Sequence, residues 1–215
     1  MPILLHLDSS ADLVTSRSRA VTATFAEAWR SRGADHTIVY RDLHRDPLPH
    51  LTDAALHFPP RLRPLGANPS PEQEALQQLL IEELVSADVL LIGVPLYNYS
   101  MPSTLKAWVD YIHLPTVTAP FDDPSTQQPL AGRPAVLVST RGGVYDPGTA
   151  TEFDDHALPA LTLILANALG MTVETIVATR TFNERFGAPA DEVAKQNREL
   201  AAAHESALHA AHCLG

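Results

Sequence analysis

Three short polar segments carry the residue types that could do chemistry in this chain. They are Ser9-Ser10 with Ser16-Arg17-Ser18, then Pro95 to Lys106, then Ser139-Thr140-Arg141-Gly142-Gly143. In the first, hydroxyls stand on both sides of a turn, and Ser16 to Ser18 open a helix. Free backbone N–H groups and the positive end of the helix dipole make such a start an anion site. Ser10, Ser16 and Ser18 add hydroxyl donors, and Arg17 adds charge. Ordinary N-capping explains the helix-opening serine equally well. The pattern is neither a P-loop nor a G-x-G-x-x-G, which favours a mononucleotide over a dinucleotide as a tightly held group. The second segment offers Leu96, Tyr97, Asn98 and Tyr99 with no charge before Lys106, a chemistry suited to a flat, hydrogen-bonding ring rather than a phosphate. Its bland alternative is a plain turn, which asparagine and serine favour. In the third, Gly142 and Gly143 let the backbone approach a planar ligand and present N–H groups to it. A Gly-Gly pair after a strand also marks a tight turn.

The elements that must position these segments are legible in the apolar pattern. Ile3 to Leu7, Thr37 to Tyr40, Val89 to Val94, Ala135 to Val138 and Met171 to Thr179 read as five strands. Helices are expected from Ser16 to Arg32 with Ala20, Val21, Phe25 and Trp29 on one face, and after Ser70 with Leu76, Leu79, Leu80 and Leu84. Ser70-Pro71-Glu72-Gln73 supplies an N-cap, a first-turn proline and a glutamine three after the cap. A third helix carries Leu105, Trp108, Val109 and Ile112, a fourth runs from about Asp155 to Gly170, and an alanine-rich fifth starts near Asp191. Strands alternating with helices predict a doubly wound five-stranded parallel sheet with helices on both faces, in one domain over residues 1–215. The three polar segments follow strands one, three and four, so they share one edge of that sheet. Two proline-rich connections, 47–71 and 113–133, are long for a compact domain and suggest a functional or interface role.

Composition narrows the function classes. The formal charge is -10 with 10 histidines uncounted, which argues against general nucleic-acid or anionic-membrane binding. The lone Cys213 offers neither a disulfide framework nor a cysteine-rich metal site and fits a reducing cytoplasm. No signal peptide or membrane-spanning stretch is visible. His204, His209, His212 and Cys213 read as a solvated helix face rather than a metal site, and Lys106 with Asp110 as a surface pair.

Joined by position, the three segments suit one ligand, flavin mononucleotide (FMN). At these residues the chain resembles the FMN-dependent NADH-azoreductases, flavodoxin-like quinone reductases of bacteria, over nearly its whole length. The resemblance is carried by S-S-x5-S-x-S at Ser9 to Ser18, P-L-Y-N-Y-S-M-P-S-T-L-K at 95 to 106, and S-T-R-G-G at 139 to 143. It implies FMN phosphate at Ser10, Ser16, Arg17 and Ser18, the reactive ring edge at Leu96 to Tyr99, and the pyrimidine end at Thr140, Arg141, Gly142 and Gly143. It further implies NADH or NADPH as hydride donor, ping-pong two-electron transfer through flavin N5 to quinones or azo compounds, and a homodimer. The protein contributes no nucleophile; Phe121 and Tyr145 are expected to border the substrate, Tyr145 as a weak proton source. Trp29, Trp108 and the apolar helix from Leu158 are read as surplus hydrophobic surface available to a dimer. Arg17 stands where the family commonly has glutamine and Thr140 where it has serine, and 113–121 lacks the family's Arg-x-Gly. A flavodoxin-type electron carrier and a non-catalytic flavin-binding regulator are the competing readings.

Overall fold

The computed structural model describes residues 1–120 and 128–214. Five parallel strands form one sheet in the order β2-β1-β3-β4-β5: β1 (Ile3–Asp8), β2 (Thr37–Asp42), β3 (Val89–Pro95), β4 (Pro134–Thr140) and β5 (Thr172–Ala178). All of β3 is buried, as its unbroken apolar run requires of a central parallel strand. Alternation along the strands divides the core in two. Leu5, Leu7, Leu90, Ile92, Ala135 and Leu137 face α2 (Pro71–Ser86), α3 (Ser103–Ile112) and α4 (Leu158–Thr162). Leu4, Leu91, Val136 and Val138 face α1 (Arg17–Ser31) and α5 (Ala190–Cys213). The chain leaves β1 toward one edge of the sheet and returns to the other side of it for β3. The strand-end loops therefore diverge between β1 and β3, and a crevice opens there.

Several helical details differ from the sequence expectation. On α1 the buried face holds Ser18, Val21, Thr22, Phe25, Ala26, Ala28 and Trp29, while Ala20 is exposed. A buried polar partner for Thr22, described below, turns the helix that way. On α2, Leu79 points to solvent and Gln77 is buried instead. The Gln77 amide donates to the carbonyls of Leu56 (2.9 Å) and Tyr111 (3.1 Å), fastening the long 47–71 connection to α3. Ser70 caps α2 through the Gln73 N–H at 3.3 Å, but the Gln73 side chain accepts from the Thr52 hydroxyl (2.8 Å) rather than closing a capping box. The fourth helix starts at Leu158, where Asp155 Oδ1 accepts from the Ala157 (2.8 Å) and Leu158 (3.1 Å) N–H groups, and then widens into a π-helical turn over Leu163–Ala168 before stopping at Gly170. Trp29 and Trp108 are both fully buried within the protomer, so neither supplies the surface for a partner that the sequence suggested.

Candidate functional site

Asn98 and Tyr99 both have positive φ, 47° and 69°. Paired hydrogen bonds between Tyr97 and Ser100 (2.9 and 3.0 Å) close this tight turn. The turn and the ligand-loop readings of this segment are thus compatible. A tyrosine in the left-handed region is strained, and such strain concentrates where backbone N–H groups must be aimed.

The strand-end loops are stitched to one another. Ser9 Oγ donates to the Gly93 carbonyl at 2.6 Å. The Tyr97 hydroxyl lies 3.1 Å from Ser10 Oγ and accepts from the Ala11 N–H at 3.1 Å. Leu96 N–H donates to the Thr140 carbonyl at 2.9 Å, joining the second loop to the third. The Thr181 N–H and hydroxyl each donate to the Arg141 carbonyl at 3.0 Å, tying in a fourth loop after β5. Between these loops lies a cleft of about 670 Å³, within the usual range of small-molecule sites.

Of the residues singled out in the sequence, Ser10, Ser16, Arg17, Leu96, Tyr97, Thr140 and Gly142 line this cleft. Ser18 is buried beneath it, its hydroxyl 3.2 Å from that of Ser16. Ser16 is also the N-cap of α1, accepting from the Arg19 N–H at 3.3 Å. The backbone N–H groups of Arg17, Ser18, Asn98, Tyr99, Gly142 and Gly143 donate to no other described residue. Those of Arg17 and Ser18 are the unsatisfied donors of a helix start. Asp12 shapes the intervening loop by accepting from the N–H groups of Val14 (2.9 Å) and Thr15 (2.7 Å) and from the Thr15 hydroxyl. The Thr15 hydroxyl and then these N–H groups hold the Asp12 carboxyl below its usual range.

Other expected residues are elsewhere. Arg141 turns its guanidinium away from the cleft, 2.6 Å from the buried Asp155, and its N–H donates to the Ala178 carbonyl. Burial of the guanidinium demands that carboxylate, which is why it does not face a ligand in the cleft. Arg141 and Tyr145 line a neighbouring cavity of about 510 Å³ with Glu152, Leu158, Leu163 and Asn167. Burial, then the nearby Tyr99 and acidic groups, raises the Tyr145 phenol. Phe121 lies outside the described residues.

The sequence reading missed the fourth loop. Thr181, Phe182, Glu184 and Arg185 line the cleft, and Glu184 stands 3.5 Å from Arg17. The Phe182 ring lies against Gly142, where a Cβ would come within 2.3 Å of it. The signal was the strand-end position itself, since β5 finishes at the same sheet edge as β1, β3 and β4. Elsewhere, no group of three or more His, Cys, Asp or Glu among the described residues could hold a metal ion. His204 pairs with the Thr24 hydroxyl at 2.7 Å, and Lys106 pairs with Asp110 on the surface. No helix among the described residues is long and apolar enough to cross a membrane.

Residues 3–205 match the family described as having a flavodoxin-like fold. Over 98% of this chain and 97% of its own length, the FMN-dependent NADH:quinone oxidoreductase of Kineococcus radiotolerans is 53% identical. This chain belongs to the flavodoxin-like FMN-dependent NADH:quinone oxidoreductase family. A protein of the same name from Streptomyces avermitilis is 39% identical over 96% of this chain and 94% of its own. Among solved structures, an azoreductase from Bacillus anthracis superposes with a TM-score of 0.79 at 20% identity, over 98% of this chain and 99% of that one. An FMN-dependent NADH-azoreductase from the same species, in complex with FMN, gives 0.78 at 21% identity over 97% of this chain and 99% of that one. At such identities the two superpositions speak to the shared fold of this oxidoreductase family.

Proposed function

We propose that this chain is a single-domain, FMN-dependent NADH:quinone oxidoreductase that also reduces aromatic azo compounds. The observation that carries the reading is that three mutually bonded loops, whose backbone N–H groups at Arg17, Ser18, Asn98, Tyr99, Gly142 and Gly143 donate to no other described residue, meet at one cleft that Arg17 and Gly142 themselves line. This donor set fits FMN from end to end. The N–H groups of Arg17 and Ser18, the hydroxyls of Ser10 and Ser16, and the Arg17 cation suit its phosphate. The Leu96 to Tyr99 turn suits the reactive ring edge. Thr140, Gly142 and Gly143 suit the pyrimidine end, where Gly142 lets the Phe182 ring pack directly against the backbone at the cleft wall. Arg141 holds that loop in place through Asp155.

FMN held there would supply two-electron chemistry at N5 between NADH or NADPH and a quinone or azo acceptor, in successive half-reactions. The chain's residues bind, orient and polarise. The N–H groups of Asn98, Tyr99, Gly142 and Gly143 would donate to the edge of a bound ring and so favour negative charge on it. Tyr145, with its phenol raised, stays protonated at neutral pH and can donate to an acceptor in the neighbouring cavity. Two copies are expected to share the site: Phe153 and Leu163, at 82% and 60% exposure, are large apolar side chains left uncovered, Leu163 on the wall of that cavity. Light scattering should return twice the protomer mass. The lone exposed Cys213 suits a reducing, cytoplasmic setting.

The formal charge of -10 also suits an electron carrier that docks on basic partners. The two readings separate in one assay. FMN-loaded protein mixed with NADH and benzoquinone should oxidise NADH with no other protein present. A chain that binds FMN but turns over only when a partner reductase is added is a carrier.

A further inference from the structure

Arg19 follows Ser16-Arg17-Ser18 on the first turn of α1, yet it lines a separate cavity with Tyr40 and Asp42 rather than the cleft. The guanidinium forms a two-pronged pair with Asp42, both contacts at 2.7 Å. Its Nε and Nη2 also donate to the Ser10 carbonyl, at 3.2 and 2.7 Å. Asp42 ends β2 and is itself held, because its Oδ1 accepts from the His44 and Arg45 N–H groups at 3.1 Å. Below Arg19 lies a second carboxylate, Asp8, at 3.7 Å. Asp8 accepts from the hydroxyls of Thr22 (2.9 Å) and Tyr40 (3.1 Å). Gly93 makes room for it, since a Cβ there would stand 2.7 Å from the Asp8 carboxylate. The Arg19 and Asp42 side chains are only 14% and 6% exposed.

The Ser10–Ala11 peptide is thus gripped on both edges. Arg19 takes its carbonyl oxygen, and the Tyr97 hydroxyl accepts from its N–H. A trans peptide points these two groups in opposite directions, so fixing one fixes the other. The consequence is electrostatic. A carbonyl oxygen turned into the cleft would oppose an anion, and Arg19 draws this one out of it. Bidentate guanidinium geometry is needed, because one head group must reach both Asp42 and the carbonyl.

We propose that Arg19, anchored by Asp42, is a positioning residue for the cofactor phosphate: it holds the Ser10 carbonyl away from the cleft so that the serine loop offers only donors there. The proposal rests on the FMN reading. It predicts an effect that depends on the phosphate and not on the ring.

Flavin-free protein is titrated with FMN and with riboflavin, which has the ring and no phosphate, following flavin fluorescence. In Arg19→Gln the FMN Kd should rise about ten-fold or more while the riboflavin Kd changes less than about two-fold. Arg19→Lys keeps the charge but not the fork, and should recover only part of the FMN affinity. Should Arg19→Gln fail to fold, the FMN-to-riboflavin ratio in Arg19→Lys decides alone. Equal weakening of both ligands, or no weakening of FMN, overturns the proposal. If the unsubstituted chain binds no FMN, the cofactor reading falls with it, an outcome visible before any variant is made.

Discussion

Removing the Ser16 hydroxyl should separate two roles that the structure places on one atom. Ser16 Oγ caps α1 through the Arg19 N–H and also lines the cleft. Loss of a serine N-cap to alanine costs about 1 kcal/mol. In a chain of this length that lowers Tm by about 2–4 °C. A hydrogen bond to a charged phosphate contributes about 1.5–3 kcal/mol, so the FMN Kd should rise about 10–150-fold. Ser16→Ala therefore loses both, and cannot by itself say which matters. Ser16→Gly can. Glycine caps a helix within a few tenths of a kcal/mol of serine, so Tm should return almost to that of the unsubstituted chain. It has no hydroxyl, so FMN affinity should stay as poor as in Ser16→Ala. The assay is a thermal melt of flavin-free protein beside an FMN fluorescence titration, on both variants. If glycine restores FMN affinity along with Tm, the hydroxyl is a cap and nothing more, and the phosphate assignment of Ser16 is refuted.

Gly142→Ala should weaken FMN by about ten-fold or more, because a methyl there would stand 2.3 Å from the Phe182 ring and push that ring out of its place on the cleft wall. Phe182→Ala removes that clash, so adding Gly142→Ala to a Phe182→Ala background should cost little further FMN affinity; a full loss there would refute displacement of Phe182 as the cause. Acid stability gives a further check. Burial alone would raise the Asp42 carboxyl, but Arg19 and the Arg45 and His44 N–H groups outweigh it and hold the group at about 2. A carboxyl lowered on folding stabilises the protein above its unfolded pKa, and the contribution is lost as pH falls through the folded value. Unfolding free energy measured in urea should therefore decline between about pH 4 and pH 2, and Asp42→Asn should flatten that decline. An unchanged slope would remove Asp42 from the set of paired carboxylates.

Much of the fold could be read from the chain because its signals agree with one another. The apolar run Val89 to Val94 is a fully buried strand, and Ser70-Pro71 starts a helix where a cap and a proline say one should start. The cleft was legible where a strand end carried unusual chemistry, as at Ser10, Ser16 and Arg17 and at Leu96 and Tyr97. It was illegible where the chemistry came from packing. Nothing local marks Arg19 as a partner of Asp42, because β2 must first be laid beside β1. Arg141 looked like a ligand group until the fold set Asp155 beside it. Phe182 follows a strand that is half exposed, so its loop drew no notice, although parallel pairing carries it to the same edge. Both tryptophans looked like surplus surface, and the two layers of helices cover them.

The central claim is that one FMN spans the three loops, and a crystal structure of the FMN complex tests it most directly. The account predicts the phosphate within hydrogen-bond distance of the Arg17 and Ser18 N–H groups, with the ring edge along Asn98, Tyr99 and Gly142. A flavin seated instead in the cavity of Arg141 and Tyr145, or a phosphate away from the start of α1, would contradict it.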